Sequence, residues 1–576
     1  MLETLHLTDA LKGYTYDQDK LLTPEETVRR VRDRLAHLDL KLLQETMRID
    51  SGRLDIPVYL SLLDVDARRV VPTHKQMGKG ATPIQAEASA LMELVERFSF
   101  FAYIEEGPLD LGTPRDHKGQ ALPFAYLARS LFDQTYEATA PLYEDWPLYF
   151  VPATNLTRGE AVMLPIHWFY LIEEYNGPAA GNCLEEAILQ GLGEVVERHV
   201  GSVISHDRLN TPIIDPDSVT DPAARELLEK FKRNGIVLHL RDFSMDTGIP
   251  TVAALAYDPS TFPQDSEIVF AAGTTTDPTK SLVRALTEVA QLAGDFNRRT
   301  SYRPTLPKYE TLEDAAYLMA PGPVIPLDSL PNLSRPNLKD EIQLCLAALS
   351  RLDLEVLVVN TTHPSLNLPT VYVLVPGTHF LDRTRNTTVI FHLAKVAALY
   401  APPLMALAAL AELNAAFPNR FDVNFFLGLA LENQDRAHGA LVHFRQALEY
   451  DPPAHEIPSI YVHLGACQKD LGNFQEAAAA FTQAVALSPD LKEAHHLLGF
   501  CCFKLEEYQK AVECFEKVIE LDPGSAIDYA NLGINLQRLG HPKEAAYVLK
   551  QALELDPSLD FAARVLADLE NGSRRL

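Results

Sequence analysis

Two stretches about 100 residues apart place carboxylates and an arginine at the same spacing: Ser89, Glu93, Glu96 and Arg97, then Glu186, Gln190, Glu194, Glu197 and Arg198. Aligned, Gly80 matches Gly181, Ala86 matches Ala187, Leu91 matches Leu192, and both Glu-x-x-Glu-Arg sets fall in register. On a helix, positions i, i+4, i+7 and i+8 share an arc of about 100°. Leu91, Leu94, Val95 and Phe98 turn away from the first stripe, as Ile188, Leu189, Leu192, Val195 and Val196 do from the second. Both helices are therefore expected to be buried on most sides, with their acidic stripes facing a cleft. Like carboxylates crowded there repel unless a cation or a proton compensates. Hard oxygen ligands at that density suit Mg²⁺, which binds through a few carboxylates plus substrate phosphates. One such motif alone reads as a solvated surface helix; two in register do not.

The flanking residues supply the elements. Thr82-Pro83 followed by Gln85 predicts an N-cap, a proline in the first turn and a capping partner. Gly78-Lys79-Gly80 ahead of it predicts a flexible, positively charged approach to a helix N-terminus, favourable ground for phosphate. No Walker loop and no dinucleotide-binding glycine fingerprint occurs anywhere in the chain. A third, worn copy, GTTTDPTKSLVRALTEVAQL, starts a helix at Asp277-Pro278 and carries Arg284, Glu288 and Gln291. Its Arg284 is placed to offer a cation opposite the carboxylates. His74 and His199 flank the motifs and read first as structural histidines, and Cys183 reads as a packing residue rather than a nucleophile.

Ser-x3-Glu-x2-Glu-Arg, then Asn-x3-Glu-x7-Glu-x2-Glu-Arg, then Arg-Ala-Leu-Thr-Glu resemble the YcaO family over about the first 380 residues. The resemblance implies an α/β (α+β) YcaO-like ATP-binding domain with internally duplicated acidic helices, taking ATP and Mg²⁺. It implies ATP contacts at Lys20, Thr27, Ser89, Glu96, Arg97, Asn182, Gln190, Arg198 and Arg284, and metal ligation by Glu93, Glu96, Glu186, Glu194 and Glu197. The Lys20–Thr27 pair follows the family's lysine and hydroxyl seven apart, although TPEET also makes a helix start capped by Thr23. Where some members carry Ser, this chain has Ala179, so a contact there falls to backbone.

The chemistry implied is that of an ATP-dependent enzyme activating a peptide-backbone amide. A nucleophile attacks the amide carbon, the oxygen is phosphorylated, and phosphate leaves to give an azoline, a thioamide or an amidine. No protein nucleophile stands out, so the catalytic residue is left open. Azoline-forming members typically end in a proline-rich terminus, whereas here Val371–Val375 and Pro376-Gly377 lead into more chain, which ends Gly572-Ser573-Arg574-Arg575-Leu576. Thioamide formation or a related amide modification is therefore expected ahead of azoline formation. The alternatives are an accessory factor for ribosomal-protein methylthiolation and a repeat scaffold.

The last third is a different module. Gly465, Gly499 and Gly533 recur at 34 residues, as do Pro489, Pro523 and Pro557, and Ala477, Ala511 and Ala545. That period is the tetratricopeptide (TPR) signature, predicting an all-α TPR solenoid with a partner-binding face. An earlier repeat carries Gly428, Ala440, Phe444 and Pro452, each 37 before its counterpart, with the extra residues near Pro452 and Pro458. The expected domains are 1–380, a helical linker and start of the array at 381–420, and repeats over 421–576. From Phe421 onward, 13 Lys+Arg against 23 Asp+Glu give −10, which favours a basic partner in the groove.

Overall charge is −27, which argues against a nucleic-acid partner. Six cysteines without Cys-x-x-Cys spacing argue against zinc and for a reducing compartment. No signal peptide and no membrane-spanning run is read, so the expected place is the cytoplasm, with a peptide or protein substrate and a homodimer as the default assembly. His495-His496 reads as surface.

Overall fold

The structure is a computed structural model that describes residues 4–131, 133, 136–297, 306–380 and 387–573; Arg574–Leu576 of the expected carboxy terminus lie outside them. Two compact units divide the chain, Met1–Val389 and Ile390–Leu576.

The first unit is mixed α/β, built on three largely antiparallel sheets. Strands Leu43–Arg48, Val58–Leu63 and Lys75–Lys79 form one. A second runs Val269–Thr274, Thr251–Tyr257, Val237–Asp242, Ile213–Ile214 and Val324–Ile325, its last pair parallel. The third runs Asp110–Gly112, Leu148–Asn155, Leu357–Asn360, Thr370–Leu374 and Pro178–Ala180, with Glu160–Pro165 paired to Leu148–Asn155.

Each sheet sends one strand into one long helix. Lys75–Lys79 leads to the first acidic helix, Pro83–Glu106; Pro178–Ala180 leads to the second, Leu184–Asp207; Val269–Thr274 leads to the third helix, Pro278–Ala293. Both acidic helices are 24 residues long, so the sequence duplication is a structural one. Thr82 caps the first by accepting from Gln85 N, and Asp277 caps the third through Thr279 N and Lys280 N. The segment before the first helix is a strand, not the flexible approach expected of Gly78-Lys79-Gly80. A Cβ on Gly78 would sit 2.4 Å from Ala86 O and 2.0 Å from Ala90 N; one on Gly273 would sit 2.3 Å from Ser281 O and 2.6 Å from Ala285 N. The offsets of eight and twelve residues are the same, so both glycines exist to let a helix backbone lie against its own strand. The third helix buries Leu282, Val283, Leu286 and Val289 in a core with Phe231, Leu240, Val252 and Phe296.

The second unit is helical. Pairs Phe421–Glu432/Ala437–Glu449, Ile457–Asp470/Phe474–Leu487, Lys492–Lys504/Tyr508–Leu521 and Ala526–Arg538/Pro542–Leu555 follow Pro403–Ala416 and precede Asp560–Ser573. A Cβ on Gly428, Gly465 or Gly499 would meet the ring of Phe444, Phe481 or Phe515 at 2.6, 2.7 and 2.9 Å; Gly533 faces Leu549 instead. That contact is the physical content of the repeat. The three extra residues fall in the turn 450–456, against 488–491 one repeat later. Cys467, Cys501, Cys502 and Cys514 are buried packing residues. His495 and His496 are not surface decorations: His495 is buried with Nε2 2.8 Å from Pro489 O, and His496 Nδ1 lies 2.6 Å from Asp528 Oδ1. Among the described residues, no helix is long and apolar enough to cross a membrane.

Candidate functional site

The three helices turn their polar stripes toward one cleft of about 670 Å³. Lys20, Thr27, Ser89, Glu93, Glu96, Arg97, Asn182, Glu186, Gln190, Glu194, Arg198 and Arg284 all line it. Glu197 does not. It is buried behind the wall, where Oε2 accepts from Thr274 N at 3.1 Å and Oε1 lies 3.2 Å from Arg198 Nη1. Arg284 Nε is 3.5 Å from the same carboxylate, so Glu197 orients two cations that do reach the cleft.

One end of the cleft is closed by the amino-terminal segment. Thr23 caps the helix Pro24–Ala36 in a full capping box with Glu26, which aims Thr27 at Asn182. Asn182 Nδ2 donates to Thr27 Oγ1 at 3.0 Å, Arg30 Nη1 donates to Asn182 O at 2.6 Å, and Asn182 N donates to Glu186 Oε1 at 3.2 Å. Leu21 N donates to the other oxygen of Glu186 at 2.9 Å, and Lys20 Nζ stands 3.7 Å from Oε1. Cys183 caps the second acidic helix through Sγ, and burial pushes its thiol up to about 12, which removes it as a nucleophile at neutral pH. A smaller cavity of about 70 Å³ adjoins this end, with Leu189, Ile249, Leu338 and Cys345 among its lining residues.

Charge concentrates at the other end. Arg97 Nε donates to Glu93 Oε1 at 3.0 Å and lies 3.4 Å from Glu96 Oε1. Arg198 Nη2 is 3.6 Å from Glu194 Oε1, and Arg284 Nη1 donates to Gln190 Oε1 at 3.0 Å. Burial, then repulsion from Glu93 and Glu194, raises the Glu96 carboxyl well above its ordinary value despite Arg97. Burial opposes the charge on Arg97, but Glu93, Glu96 and Glu194 outweigh it and keep the guanidinium protonated.

The turn between Glu173 and Pro178, unnoticed in the sequence, orders this end. Glu174 and Gly177 take positive φ, and the turn offers Tyr175 O to Arg97 Nη1 at 3.3 Å and Gly177 N to Glu194 Oε2 at 3.3 Å. The Arg97 guanidinium also lies 5.6 Å from the Tyr175 ring centroid. Gly177-Pro178 is the sequence signal that marks such a turn. Lys79 and Glu288 form an ion pair inside the cleft; both were visible in the motifs, but nothing local pairs them. His74 lines the cleft, whereas His199 is half-buried, its Nδ1 accepting from His379 N at 3.1 Å, and desolvation followed by the neighbouring His379 lowers it to about 4.

Two observations bear on what fits here. Among the described residues no three His, Cys, Asp or Glu side chains form a ready-made metal cage, and the carboxylates turn to arginines and backbone N–H groups instead. Yet the Nε atoms of Arg198 and Arg284 are buried without a hydrogen-bond partner, and Glu96 is under like-charge repulsion. A divalent ion that shares its shell with phosphate oxygens needs only one or two carboxylates, relieves the repulsion and brings anions to the guanidiniums. The donor set fits Mg²⁺ carried on a polyphosphate better than a protein-only metal site.

A family model described as YcaO cyclodehydratase, ATP- and Mg²⁺-binding, matches residues 77–379, more than half of the chain. Models for tetratricopeptide repeat and for anaphase-promoting complex, cyclosome, subunit 3 match residues 490–558 and 433–518. An uncharacterized protein of Methanothermobacter thermautotrophicus is 30% identical over 383 residues, covering 62% of this chain and 93% of that protein. The ribosomal protein S12 methylthiotransferase accessory factor YcaO of Escherichia coli is 29% identical over 207 residues, 32% of this chain and only 35% of that one. A heterocyclase solved in complex with substrate and cofactor superimposes with a TM-score of 0.54 at 25% identity, over 66% of this chain and 55% of its own. Family model, duplicated helices and shared cleft agree: the chain belongs to the YcaO family and carries tetratricopeptide repeats after its YcaO domain.

Proposed function

We propose that this protein is an ATP- and Mg²⁺-dependent enzyme that activates a backbone amide of a peptide or protein, with thioamide formation or a related modification as the outcome. The carrying observation is the single cleft in which paired carboxylates from two duplicated helices meet Arg97, Arg198 and Arg284. Mg·ATP supplies the phosphoryl group that turns the amide oxygen into a leaving group. Glu93, Glu96 and Glu194 hold the metal, while Glu186 and Glu197 also act as anchors, for Asn182 and for the arginines. Arg97, Arg198 and Arg284 neutralise phosphate charge, and Lys20, Thr27, Ser89, Asn182 and Gln190 position the nucleotide. The repeats dock the substrate or a protein partner, their net negative charge favouring a basic one.

The test is the mass of candidate peptides after incubation with this protein, Mg·ATP and sulfide. Replacement of oxygen by sulfur raises the mass; loss of water lowers it. Wild-type rates of ATP turnover in both Glu93→Gln and Glu197→Gln would sink the reading. The likeness to the E. coli accessory factor supports a second reading, a nucleotide-binding helper of a ribosomal-protein-modifying enzyme. It predicts nucleotide binding and slow turnover with no mass change on any peptide given this protein alone.

A further inference from the structure

Lys79 is the last residue of the strand Lys75–Lys79, and its ammonium is paired with Glu288 of the third helix. Both side chains are mostly buried, 16% and 18% exposed, and both line the cleft. Glu288 pairs with Lys79, and Arg284 from the third helix, Glu93 from the first acidic helix and Arg198 from the second line the same cleft. Four other cations of the site pair within the motifs: Arg97 with Glu93 and Glu96, Arg198 with Glu194 and Glu197, Arg284 with Gln190 and Glu197, Lys20 with Glu186. Lys79 is held by Glu288 of the third, worn copy.

The ends of the cleft differ in chemistry. Lys20, Thr27 and Asn182 sit where Glu186 is already saturated by hydrogen bonds and apolar lining adjoins. Lys79 lines the cleft together with Glu93, Arg198 and Arg284, where metal and phosphate charge can be balanced. We propose that Lys79 is a further nucleotide-binding residue of this cleft, contacting the terminal phosphoryl group of a Mg-bound nucleoside triphosphate, with Glu288 as its positioning residue. The assignment rests on the nucleotide reading above and adds to it the element that distinguishes a triphosphate from a diphosphate.

The experiment measures binding of Mg·β,γ-methylene-ATP and of Mg·ADP to the full chain, without turnover. Lys79→Met is expected to weaken the triphosphate analogue about 10-fold or more while leaving ADP within about twofold, with an unchanged melting temperature. Lys79→Arg keeps most of the preference, and Glu288→Gln loses part of it. Equal loss for both nucleotides, or no loss for either, overturns the assignment. If Lys79→Met fails to fold, unchanged preference in Glu288→Gln and Lys79→Arg overturns it, and a lower preference in Glu288→Gln supports it. Failure of the wild-type protein to bind either nucleotide is a different result: it removes the nucleotide reading itself and the assignment with it.

Discussion

Both units of this protein are built by internal repetition, but they repeat different things. The YcaO domain repeats charge: Glu93, Glu96 and Arg97 return as Glu194, Glu197 and Arg198, while the placement of the repeated carboxylates diverges. Glu96 faces the cleft, whereas its counterpart Glu197 is buried behind the wall on Thr274 N. The TPR unit repeats packing: Gly428, Gly465 and Gly499 each receive a phenylalanine ring sixteen residues later, while the polar residues change from repeat to repeat. A site that must surround one ligand needs the same chemistry from different directions. A solenoid needs the same joint each time, because each repeat rests only on its neighbours.

Breaking a joint should cost stability and spare chemistry. Phe481→Ala leaves a void against Gly465 and is expected to destabilise the protein by about 3–5 kcal/mol in denaturant melts, with ATP turnover per folded molecule unchanged. Gly78→Ala tests whether the YcaO domain has a joint of its own. The new Cβ meets helix backbone rather than a movable ring, and the expected loss is about 3 kcal/mol by the same melts. Breaking the repeated charge should do the reverse. Glu93→Gln is expected to lower ATP turnover about 100-fold with little change in melting temperature, the size seen when one preorganised charge contact is removed from an active site.

Buried acids sharpen the comparison through pH. Glu173 is fully buried, neither oxygen has a hydrogen-bond partner, and burial raises its carboxyl well above the ordinary value; Glu96 is raised by burial and by Glu93. A raised folded value means the native state holds protons that the unfolded state releases. Stability is therefore full below the unfolded value and falls as pH climbs toward the folded one. Glu173→Gln should flatten that decline with or without Mg²⁺, whereas Mg·ATP should flatten only the part that Glu96→Gln removes; melting temperature against pH reads both. The smallest effect belongs to the repeats. The hydrogen bond to Asp528 raises His496, so this pair stabilises at acid pH and fades as pH rises through the folded value, and His496→Gln is expected to cost about 0.5 kcal/mol at pH 6, since the ring is partly solvated.

Much of the site could be read from residue spacing, because spacing on a helix is local geometry. Ser89, Glu93, Glu96 and Arg97 were placed on one face by the helical period alone, and the cleft confirms that face. Gly78 was misread as flexibility because a glycine needed for close approach looks the same in sequence as one needed for a bend. Glu197 was ranked with the cleft-facing carboxylates because its partner Thr274 N belongs to a strand far along the chain. The Lys79–Glu288 pair and the turn that supplies Tyr175 O and Gly177 N were missed for the same reason.

By itself, the sequence determined the duplication of the acidic helices, their caps, the 34-residue joint and the family, all of which live in short-range periodicity and residue type. Tertiary structure alone decided which carboxylates reach the cleft and which hold arginines behind it. It also decided which lysine stands opposite which glutamate, and how a turn before the second helix orders a residue of the first. Those outcomes depend on contacts between strands and helices that are distant in the chain. Their geometry is set by sheet pairing and packing, which no local pattern encodes.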